Sequence, residues 1–302
     1  MEAWELKQKQ SLPLSQKIHM TERRIKEFYE GVDGNVYISF SGGKDSTVLL
    51  DMVRKIYPNV IAVFSDTGME FPEVREFVKT IDNVKWIRPK LSFKATIDKW
   101  GFPVVSKDVS SKIKTIRNPT EFNKASINLY MTGFTKKGYY ARRMMLPKKW
   151  RYLLDAPFKI SDMCCHELKE KPLMNFQSKE KLYPFMGILA EESFLRRNTY
   201  LKYGCNVYKD ENKQYTKPRS SPLSFWTTND IWEYINKFKI GYSNIYNMGY
   251  ESTGCVFCMF GMNGECEPNR FQKMRITHPK LHDYCINVLG LKAPLDYMGV
   301  KY

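Results

Sequence analysis

The sequence predicts an α/β fold in which helices cover the faces of a mostly parallel β-sheet. Short apolar runs, rich in the β-branched and aromatic residues that strands favour, alternate with segments of helical periodicity. The connections between them are short, and this arrangement forms parallel sheets. Strands are predicted at residues 35–40, 60–64 and 84–87, and helices at residues 15–31, 45–56 and 72–77.

The middle of the chain differs in composition from both ends. Residues 106–151 contain twelve Lys or Arg and two acids, so they contribute +10 to the formal net charge of +16. Their hydrophobic periodicity is weak, which indicates an insertion. We predict an N-terminal helix and α/β core at 1–105, this basic insertion at 106–151, and the rest of the core with a helical, cysteine-containing part at 152–302. The last region should contain a strand at 182–189 and helices at 230–238 and within 271–289.

Composition narrows the class of protein. A hydrophobic fraction of 43% excludes wholesale disorder. No apolar run is long enough to span a membrane, and the charged residues 1–20 lack the apolar segment of a secretory signal. We therefore expect a cytoplasmic protein without a membrane partner. The excess of positive charge predicts a polyanionic substrate or partner.

A glycine-rich turn follows the first predicted strand. Gly42 and Gly43 let the backbone approach a ligand closely, and the N–H groups that open the next helix attract anions. The spacing is not that of a Walker A loop. A turn that needs its glycines only for its shape is the simpler interpretation, but the local density of polar groups favours a phosphate or sulfate site. Its predicted residues are Ser39, Ser41, Gly42, Gly43, Lys44, Asp45 and Ser46.

A second polar segment follows the second predicted strand. Side chains at the carboxyl end of a parallel strand line the ligand crevice, so Asp66, Thr67 and Gly68 are predicted to belong to the same site. Asp66 would also suit a plain helix cap or turn.

The seven cysteines are clustered rather than evenly spaced. An odd number without an export signal argues against a disulfide framework. Cys164 and Cys165 are adjacent, and Cys255 and Cys258 form a C-x-x-C pair of the kind common in zinc sites. The pattern indicates a metal or redox site, while simple burial is the alternative for the adjacent pair. Three further cysteines fit no ligand pattern: Cys205, Cys266 and Cys285.

Taken together, these motifs resemble the PP-loop ATP pyrophosphatases and, among them, the phosphoadenosine phosphosulfate (PAPS) reductase family. The S-G-G-K-D-S turn at 41–46 matches the PP-loop signature, and residues 66–72 are similar to the family's D-T-G-x-x-x-P block. The resemblance implies a Rossmann-like core of the adenine nucleotide alpha hydrolase type that binds ATP or PAPS with Mg²⁺. It also implies catalytic roles for Lys44 and Asp45. It extends from about Asn35 to Leu289 and omits the basic insertion.

Residues 187–197 resemble the family segment G-[IL]-R-x-x-E-S-x-x-R, and residues 222–234 and 246–250 resemble further family blocks. The resemblance implies nucleotide contacts from Glu192, Ser193, Arg196 and Arg197. Because Leu189 replaces the first arginine of the segment, Arg196 or Arg197 is expected to supply its contact.

The double cysteine followed by C-x-x-C is similar to the [4Fe–4S] site of the adenylyl-sulfate reductase branch. This implies Cys164, Cys165, Cys255 and Cys258 as cluster ligands, with zinc as the alternative metal. A lysine that follows the double cysteine in that branch would correspond to Lys169 or Lys171.

The C-terminal residues depart from the reductase pattern. Typical reductases carry a nucleophilic cysteine in E-C-G-[LI]-H, whereas this sequence has no cysteine after Cys285. Release of sulfite needs such a thiolate. The chain is therefore expected to be closer to members that lack it, such as the ATP pyrophosphatase component of DNA phosphorothioation systems.

Three hypotheses follow, and the oligomeric state stays open. The first is ATP-dependent adenylation for sulfur transfer, with a sulfur-donor protein as partner. Its acceptor would be a small molecule, or a nucleic acid that contacts the aromatic and basic residues of 106–151. A solvated loop is the other interpretation of that segment. The second is a PAPS or adenylyl-sulfate reductase with a thioredoxin-like partner, whose nucleophile comes from elsewhere, such as Cys266, Cys285 or a partner protein. The third is a non-catalytic, nucleotide-gated nucleic-acid-binding protein.

Overall fold

The structure, a computed structural model, describes residues 2–208 and 217–302. Residues 209–216, which belong to the predicted region 152–302, lie outside the described residues, as does Met1. The predicted fold class is confirmed, because the main sheet is mostly parallel and helices separate its strands.

Within the described residues the chain forms eight strands and fourteen α-helices. The strands are β1 (Val36–Ser39), β2 (Ala62–Ser65), β3 (Val84–Ile87), β4 (Val104–Val105), β5 (Tyr183–Met186), β6 (Asn206–Val207), β7 (Arg219–Ser220) and β8 (Met259–Phe260). The helices are α1 (Ala3–Gln10), α2 (Leu14–Gly31), α3 (Lys44–Ile56), α4 (Pro72–Lys79), α5 (Phe93–Trp100), α6 (Lys107–Arg117), α7 (Lys124–Thr132), α8 (Met163–Cys165), α9 (Lys171–Glu180), α10 (Phe194–Tyr203), α11 (Thr228–Phe238), α12 (Arg270–Thr277), α13 (Pro279–Asp283) and α14 (Lys292–Tyr297).

The predicted elements are present, with shifted ends. Strand β3 has the predicted bounds, whereas β5 is shorter than the predicted 182–189 because its pairing ends at Met186. The segment 271–289 contains most of α12, all of α13 and a π-helical turn, Tyr284–Val288. Residues 106–151, for which no helix is predicted, contain α6 and α7.

The chain divides into two compact units, and the first consists of Met1–Asp66, Glu70–Arg88 and Pro172–Thr253. It contains a six-stranded sheet with the order β3-β2-β1-β5-β7-β6, in which only the β6–β7 pair is antiparallel. Strand β1 lies inside this sheet, and its Tyr37 and Ile38 are fully buried on opposite faces. A central parallel strand covered by helices on both sides requires such a run of apolar residues.

Helices α2 and α11 of this unit are joined by polar contacts within the core. Lys17 Nζ lies 2.6 Å from Asp230 Oδ2, and both side chains are buried. Asp230 Oδ2 also accepts hydrogen bonds from the N–H and hydroxyl of Thr227, the residue that caps α11. Trp226 is fully buried and donates its indole N–H to Thr21.

The second unit consists of Thr67–Met69, Pro89–Lys171 and Gly254–Tyr302. It contains a parallel pair of short strands, β4 and β8, surrounded by helices. The basic stretch 106–151 falls entirely within this unit, and the three-part division predicted from composition stays a prediction. None of the helices in the described ranges is both long and apolar enough to cross a membrane.

Candidate functional site

The glycine-rich loop lies at the point where the strand order of the main sheet reverses. Strand β1 has β2 on one side and β5 on the other. Ligands of open α/β sheets bind outside the carboxyl ends of the strands at such a point. The loop follows β1 directly, and Gly187 follows β5, where a Cβ would lie 2.8 Å from the backbone nitrogen of Ser46. The two strand ends therefore meet at the start of α3.

Both glycines of the loop are required by its geometry. Gly42 has φ +71°, and a Cβ there would lie 2.8 Å from methyl groups of Val74 and Val78. A Cβ on Gly43 would lie 2.6 Å from Thr253 Oγ1. The turn thus needs Gly42 for its backbone conformation and Gly43 for space.

Hydroxyl groups satisfy the backbone of the loop in this conformation. Ser46 Oγ accepts from the Ser41 N–H at 3.2 Å, and Ser41 Oγ accepts from the Gly43 N–H at 3.3 Å. The N–H of Lys44, at the first position of α3, donates to the hydroxyl of Tyr246 at 2.8 Å. The hydroxyl oxygen of Tyr246 therefore already accepts from one of the backbone N–H groups that an anion would use.

Most of the loop is buried. Gly42, Gly43, Lys44 and Ser46 are buried, Asp45 is half-buried and Ser41 is exposed. Ser41 and Asp45 therefore form the accessible edge of the loop.

Lys44, Asp45 and Arg196 form a group of charges at the start of α3. Lys44 Nζ lies 3.4 Å from Asp45 Oδ2 and 5.9 Å from the ring centre of Tyr246. Burial raises the pKa of Asp45, and the charges of Lys44 and Arg196 offset only part of that rise. The pKa of Arg196 is lowered by burial, against the opposing influence of Asp45. Asp45 Oδ1 is buried and accepts no hydrogen bond within the described part of the chain.

The structure brings only part of the predicted segment 189–197 to this charged group. Leu189, which replaces an arginine of the family pattern, is fully buried in the core. Glu192 accepts from the N–H of Leu189 at 3.0 Å and from the guanidinium of Arg196. Ser193 caps α10 by accepting from the N–H of Arg196 at 3.2 Å. Arg197 is half-buried on the same helix.

Asp66 is buried at the end of β2 and is held by two arginines that no sequence motif indicates. Its Oδ2 accepts from Arg75 Nη2 at 3.1 Å and from Arg88 Nε at 3.2 Å. Ser39 ends β1 and is paired in register with Val63 and Met186.

Thr67 and Gly68 belong to the second unit. Thr67 is buried, and its Oγ1 accepts from the Met69 N–H at 3.2 Å. Gly68 has φ +76°, so this turn also uses the left-handed conformation.

Tyr246 is the residue of the loop site that the sequence did not reveal. It lies within the block 246–250, which resembles a family segment but carries no chemical motif. Burial raises its pKa to about 12, and it is also hydrogen-bonded to Thr253. Its ring packs edge-on against Trp232, with centroids 5.3 Å apart. Only the folded chain places its hydroxyl on the Lys44 amide.

The four cysteines predicted as ligands line one cavity of the second unit. The cavity is otherwise mainly apolar, and its lining consists of Phe93, Pro103, Cys164, Cys165, Leu168, Lys169, Cys255, Phe257 and Cys258. Within residues 2–208 and 217–302, no three His, Cys, Asp or Glu side chains adopt an arrangement that could hold a metal ion. The four thiols thus share one cavity.

The electrostatics of these thiols differ from one another. A hydrogen bond from Cys164 lowers the pKa of Cys165 to about 6, helped by the positive charges of Lys107 and Lys169. The same hydrogen bond raises the pKa of Cys164, and burial raises that of Cys258 to about 12. Of the two predicted lysines, Lys169 lines the cavity, whereas Lys171 pairs with Glu167 at 3.0 Å.

The three cysteines without a ligand pattern are separate from this cavity lining. Cys205 and Cys285 are buried, and burial raises the pKa of each to about 12. Cys266 is exposed.

The fold and the loop define a class of α/β protein with a glycine-rich turn at the switch point of a parallel sheet. Residues 35–260 match the model of the phosphoadenosine phosphosulfate reductase domain, and the chain belongs to this family. The resemblance noted from the motifs is therefore confirmed.

Two curated relatives and one solved structure illustrate the similarity. An uncharacterized protein of Methanocaldococcus jannaschii is 27% identical over 286 residues, which cover 91% of this chain but 45% of that protein. The chain thus spans about half the length of this relative. The adenosine 5'-phosphosulfate reductase of Staphylococcus epidermidis is 24% identical over 234 residues, covering 78% of this chain and 74% of the enzyme. The crystal structure of a PAPS reductase from Candida auris, a phosphate complex, aligns with a TM-score of 0.45 at 15% identity and covers 81% of this chain and 96% of its own.

Proposed function

We propose that this chain binds ATP with Mg²⁺ at the glycine-rich loop and transfers the adenylyl group to an acceptor oxygen for sulfur transfer. The loop lies where ligands of open α/β sheets bind. Its backbone and the buried Lys44 would hold the phosphates, together with Ser39, Ser41, Gly42, Gly43, Ser46 and Arg196. In this proposal Asp66, Glu192, Ser193 and Arg197 complete the nucleotide site.

The observation that carries this proposal is the unpartnered Oδ1 of Asp45. A buried carboxylate oxygen without a hydrogen bond is costly, and carboxylate oxygens are ligands that Mg²⁺ prefers. The residues therefore fit a Mg²⁺ ion that accompanies the phosphates of ATP. Pyrophosphate needs such charge neutralisation as a leaving group, which favours adenylation over reduction of a sulfonucleotide.

The proposed chemistry needs positioning and charge stabilisation rather than a protein nucleophile. The acceptor oxygen bonds to the α-phosphorus, and the bond from that phosphorus to the β-phosphate oxygen breaks. Pyrophosphate leaves with the electron pair, and a proton lost from a hydroxyl acceptor passes to solvent. Hydrosulfide then attacks the activated carbon or phosphorus, the bond from that atom to the original oxygen breaks, and AMP leaves with that oxygen. Lys44 and Arg196 would stabilise the negative charge that develops on the phosphates.

The four cysteines around the apolar cavity are proposed to hold a [4Fe–4S] cluster, with zinc as the alternative. Their donor set fits either group, because both are bound by thiolates. The low pKa of Cys165 and the nearby Lys107 and Lys169 favour the thiolate form. A bound cluster would supply redox chemistry, whereas zinc would act mainly as a structural tie.

Release of pyrophosphate tests the nucleotide half of the proposal. The full chain is incubated with ATP, Mg²⁺, hydrosulfide and either unfractionated RNA or single-stranded DNA. Asp45→Asn keeps the shape of the side chain, and the Mg²⁺ concentration for half-maximal turnover should rise about tenfold. Asp98→Asn, an exposed carboxylate of the second unit, is the matched control. If the parent chain neither binds ATP nor releases pyrophosphate, the proposal fails.

A reductase that releases sulfite from PAPS or adenosine 5'-phosphosulfate is the second candidate. The similarity to enzymes named adenosine 5'-phosphosulfate reductase favours it, and the exposed Cys266 offers a nucleophile. Its thiolate would attack the sulfonyl sulfur, the sulfur–oxygen bond would break, and the nucleotide would leave. A thioredoxin-class dithiol would then reduce the thiosulfonate and free sulfite. Cys285 is a poorer nucleophile because it is fully buried.

Sulfite production from either sulfonucleotide with thioredoxin separates the two candidates. Loss of that activity in Cys266→Ser, but not in Cys205→Ser, would establish the reductase. Salt-sensitive binding of nucleic acid without turnover of ATP or sulfonucleotide would instead support a non-catalytic, nucleotide-gated binder.

A further inference from the structure

The second unit carries a short β-hairpin whose sequence concentrates positive charge. We call residues 133–144 the basic hairpin. Gly133, with φ +84°, ends α7, and the chain then reverses in a turn closed by the N–H of Gly138 and the carbonyl of Thr135 at 2.9 Å. The central positions of this turn are Lys136 and Lys137, so both lysines lie at the tip of the hairpin.

Large aromatic side chains on the basic hairpin are exposed to solvent. Phe134 and Tyr140 face each other across it, with ring centroids 5.2 Å apart, and are 47% and 59% exposed. Tyr139 is 71% exposed. The Phe134–Tyr140 pair therefore forms an exposed apolar patch of the kind that marks an interaction site, and Tyr139 adds a third exposed ring at the next position of the hairpin.

The positive charge of this part of the chain exceeds the negative charge near it in the sequence. Residues 133–151 contain seven Lys or Arg and no acid. The acids of the flanking stretch 106–132 are already paired, Asp108 with Lys112 at 2.6 Å and Glu121 with Lys124 at 2.8 Å. No described residue forms an ion pair with Lys136, Lys137 or Arg142.

We propose that the basic hairpin is a docking surface for single-stranded nucleic acid. Phosphates would contact Lys136, Lys137 and Arg142, and unpaired bases would stack on Tyr139 and on the Phe134–Tyr140 pair. A single strand is required because bases inside a duplex do not expose their faces. Single-stranded nucleic acid would then be the acceptor in the proposed sulfur transfer; that role rests on the proposed function, whereas the surface itself does not.

The residue types favour nucleic acid over the other polyanionic partners. A membrane-binding segment would present Leu, Trp or Phe together on one apolar face, whereas two of the three exposed rings here are tyrosines. An acidic protein would satisfy the lysines but has no regular alternation of anionic and planar groups. A chain that alternates phosphates and planar bases matches both the cations and the rings.

Two kinds of contact predict two separable changes in affinity. Stacking does not depend on salt, so Tyr139→Ala should weaken binding about tenfold at every salt concentration. Each phosphate contact in a single strand contributes about 0.7 to the slope of log affinity against log salt. Lys136→Gln combined with Lys137→Gln should therefore reduce that slope by about 1.4.

The test measures the fluorescence anisotropy of a labelled oligonucleotide of about 12 nucleotides, as RNA and as DNA, between about 50 and 200 mM salt and without ATP. Tyr284→Ala, an exposed ring elsewhere in the second unit, and Lys7→Gln with Lys26→Gln, exposed lysines of the first unit, are the matched controls. The proposal predicts that both hairpin variants change as stated while the controls bind like the parent chain.

Parent-like affinity of Tyr139→Ala would overturn the proposal, as would equally tight binding of the corresponding duplex. Binding of phosphatidylserine vesicles that Tyr139→Ala abolishes, without binding of the oligonucleotide, would assign the surface to a membrane instead. Lys44→Ala separates the two proposals, because it should lose ATP binding and retain the oligonucleotide. If Lys44→Ala and the parent bind the strand alike but neither turns over ATP, the adenylation proposal fails and the docking surface stands.

Discussion

The hydroxyl of Tyr246 should compete with bound nucleotide for the backbone of the loop. It accepts the Lys44 N–H at 2.8 Å, and this amide belongs to the first turn of α3, whose donors would otherwise hold a phosphate. In Tyr246→Phe the ring can keep its packing against Trp232, while the competing oxygen is absent. The Lys44 N–H would then be available to a phosphate of ATP.

The size of the effect follows from one hydrogen bond. A neutral hydrogen bond contributes about 0.5–1.5 kcal/mol net, so ATP should bind roughly 2- to 12-fold more tightly to Tyr246→Phe. Without ligand the same substitution leaves the Lys44 N–H unsatisfied, and the free energy of unfolding should fall by about 1–3 kcal/mol. Because the pKa of Tyr246 is raised to about 12 by burial, the hydroxyl stays neutral and both effects should be constant between about pH 6 and 9.

Isothermal titration calorimetry with ATP and Mg²⁺, together with urea unfolding, measures both quantities. Tyr242→Phe is the matched control, since Tyr242 belongs to the same aromatic cluster but donates to Asn247 at 3.1 Å. A folded Tyr246→Phe that binds ATP as the parent does, or more weakly, would refute the reasoning. The Lys44 amide would then not be a phosphate donor, or the hydroxyl would itself contact the ligand.

Two further predictions concern stability and the cysteine cavity. Lys17→Met leaves Asp230 buried without its cation and should lower the free energy of unfolding by about 3–5 kcal/mol. As the control, Arg23→Ala removes an exposed cation and should lower it by about 0–1 kcal/mol. Equal losses for the two variants in urea unfolding would contradict this prediction. Cys258→Ser should abolish the broad visible absorption of an iron–sulfur cluster in anaerobically purified protein, and Cys285→Ser should retain it. A parent protein that is colourless and contains stoichiometric zinc would instead support zinc as the metal bound by these cysteines.

The strands of the main sheet could be predicted from the sequence because they are buried and therefore appear as short apolar runs. Strand β3 has the predicted bounds, and β1 and β2 differ by at most two residues at either end. Helices α6 and α7 escaped prediction for two different reasons. The inward face of α6 includes Lys112, buried beside Val109 and Ile113 and paired with Asp108, so its apolar periodicity is broken. Helix α7 has no buried residue and hence no periodicity to detect.

Residues of the candidate site could be proposed from the sequence where they lie close together in the chain, but not where they are distant. The loop residues 39–46 carry their own signal, as do the adjacent and C-x-x-C cysteines. Tyr246 lies 202 positions from Lys44, and no sequence pattern around a tyrosine in a helical turn predicts such a contact. Lys107 is likewise far in sequence from Cys165, whose pKa it helps to lower.

Hydroxyl oxygens accept backbone N–H groups of the loop and thereby fix its conformation. Ser46, Ser41 and Tyr246 each accept one backbone N–H, and the first two are parts of the loop itself. Contacts within the loop can persist when a ligand binds, since they fix the turn rather than fill the anion position. Tyr246 alone of these three reaches the loop from a distant segment, so its hydroxyl is the contact that nucleotide would exchange. In the proposed function, such a preorganised loop would lose little conformational entropy when nucleotide binds. The remaining free-energy cost would lie mainly in breaking the hydrogen bond between the Lys44 N–H and the Tyr246 hydroxyl.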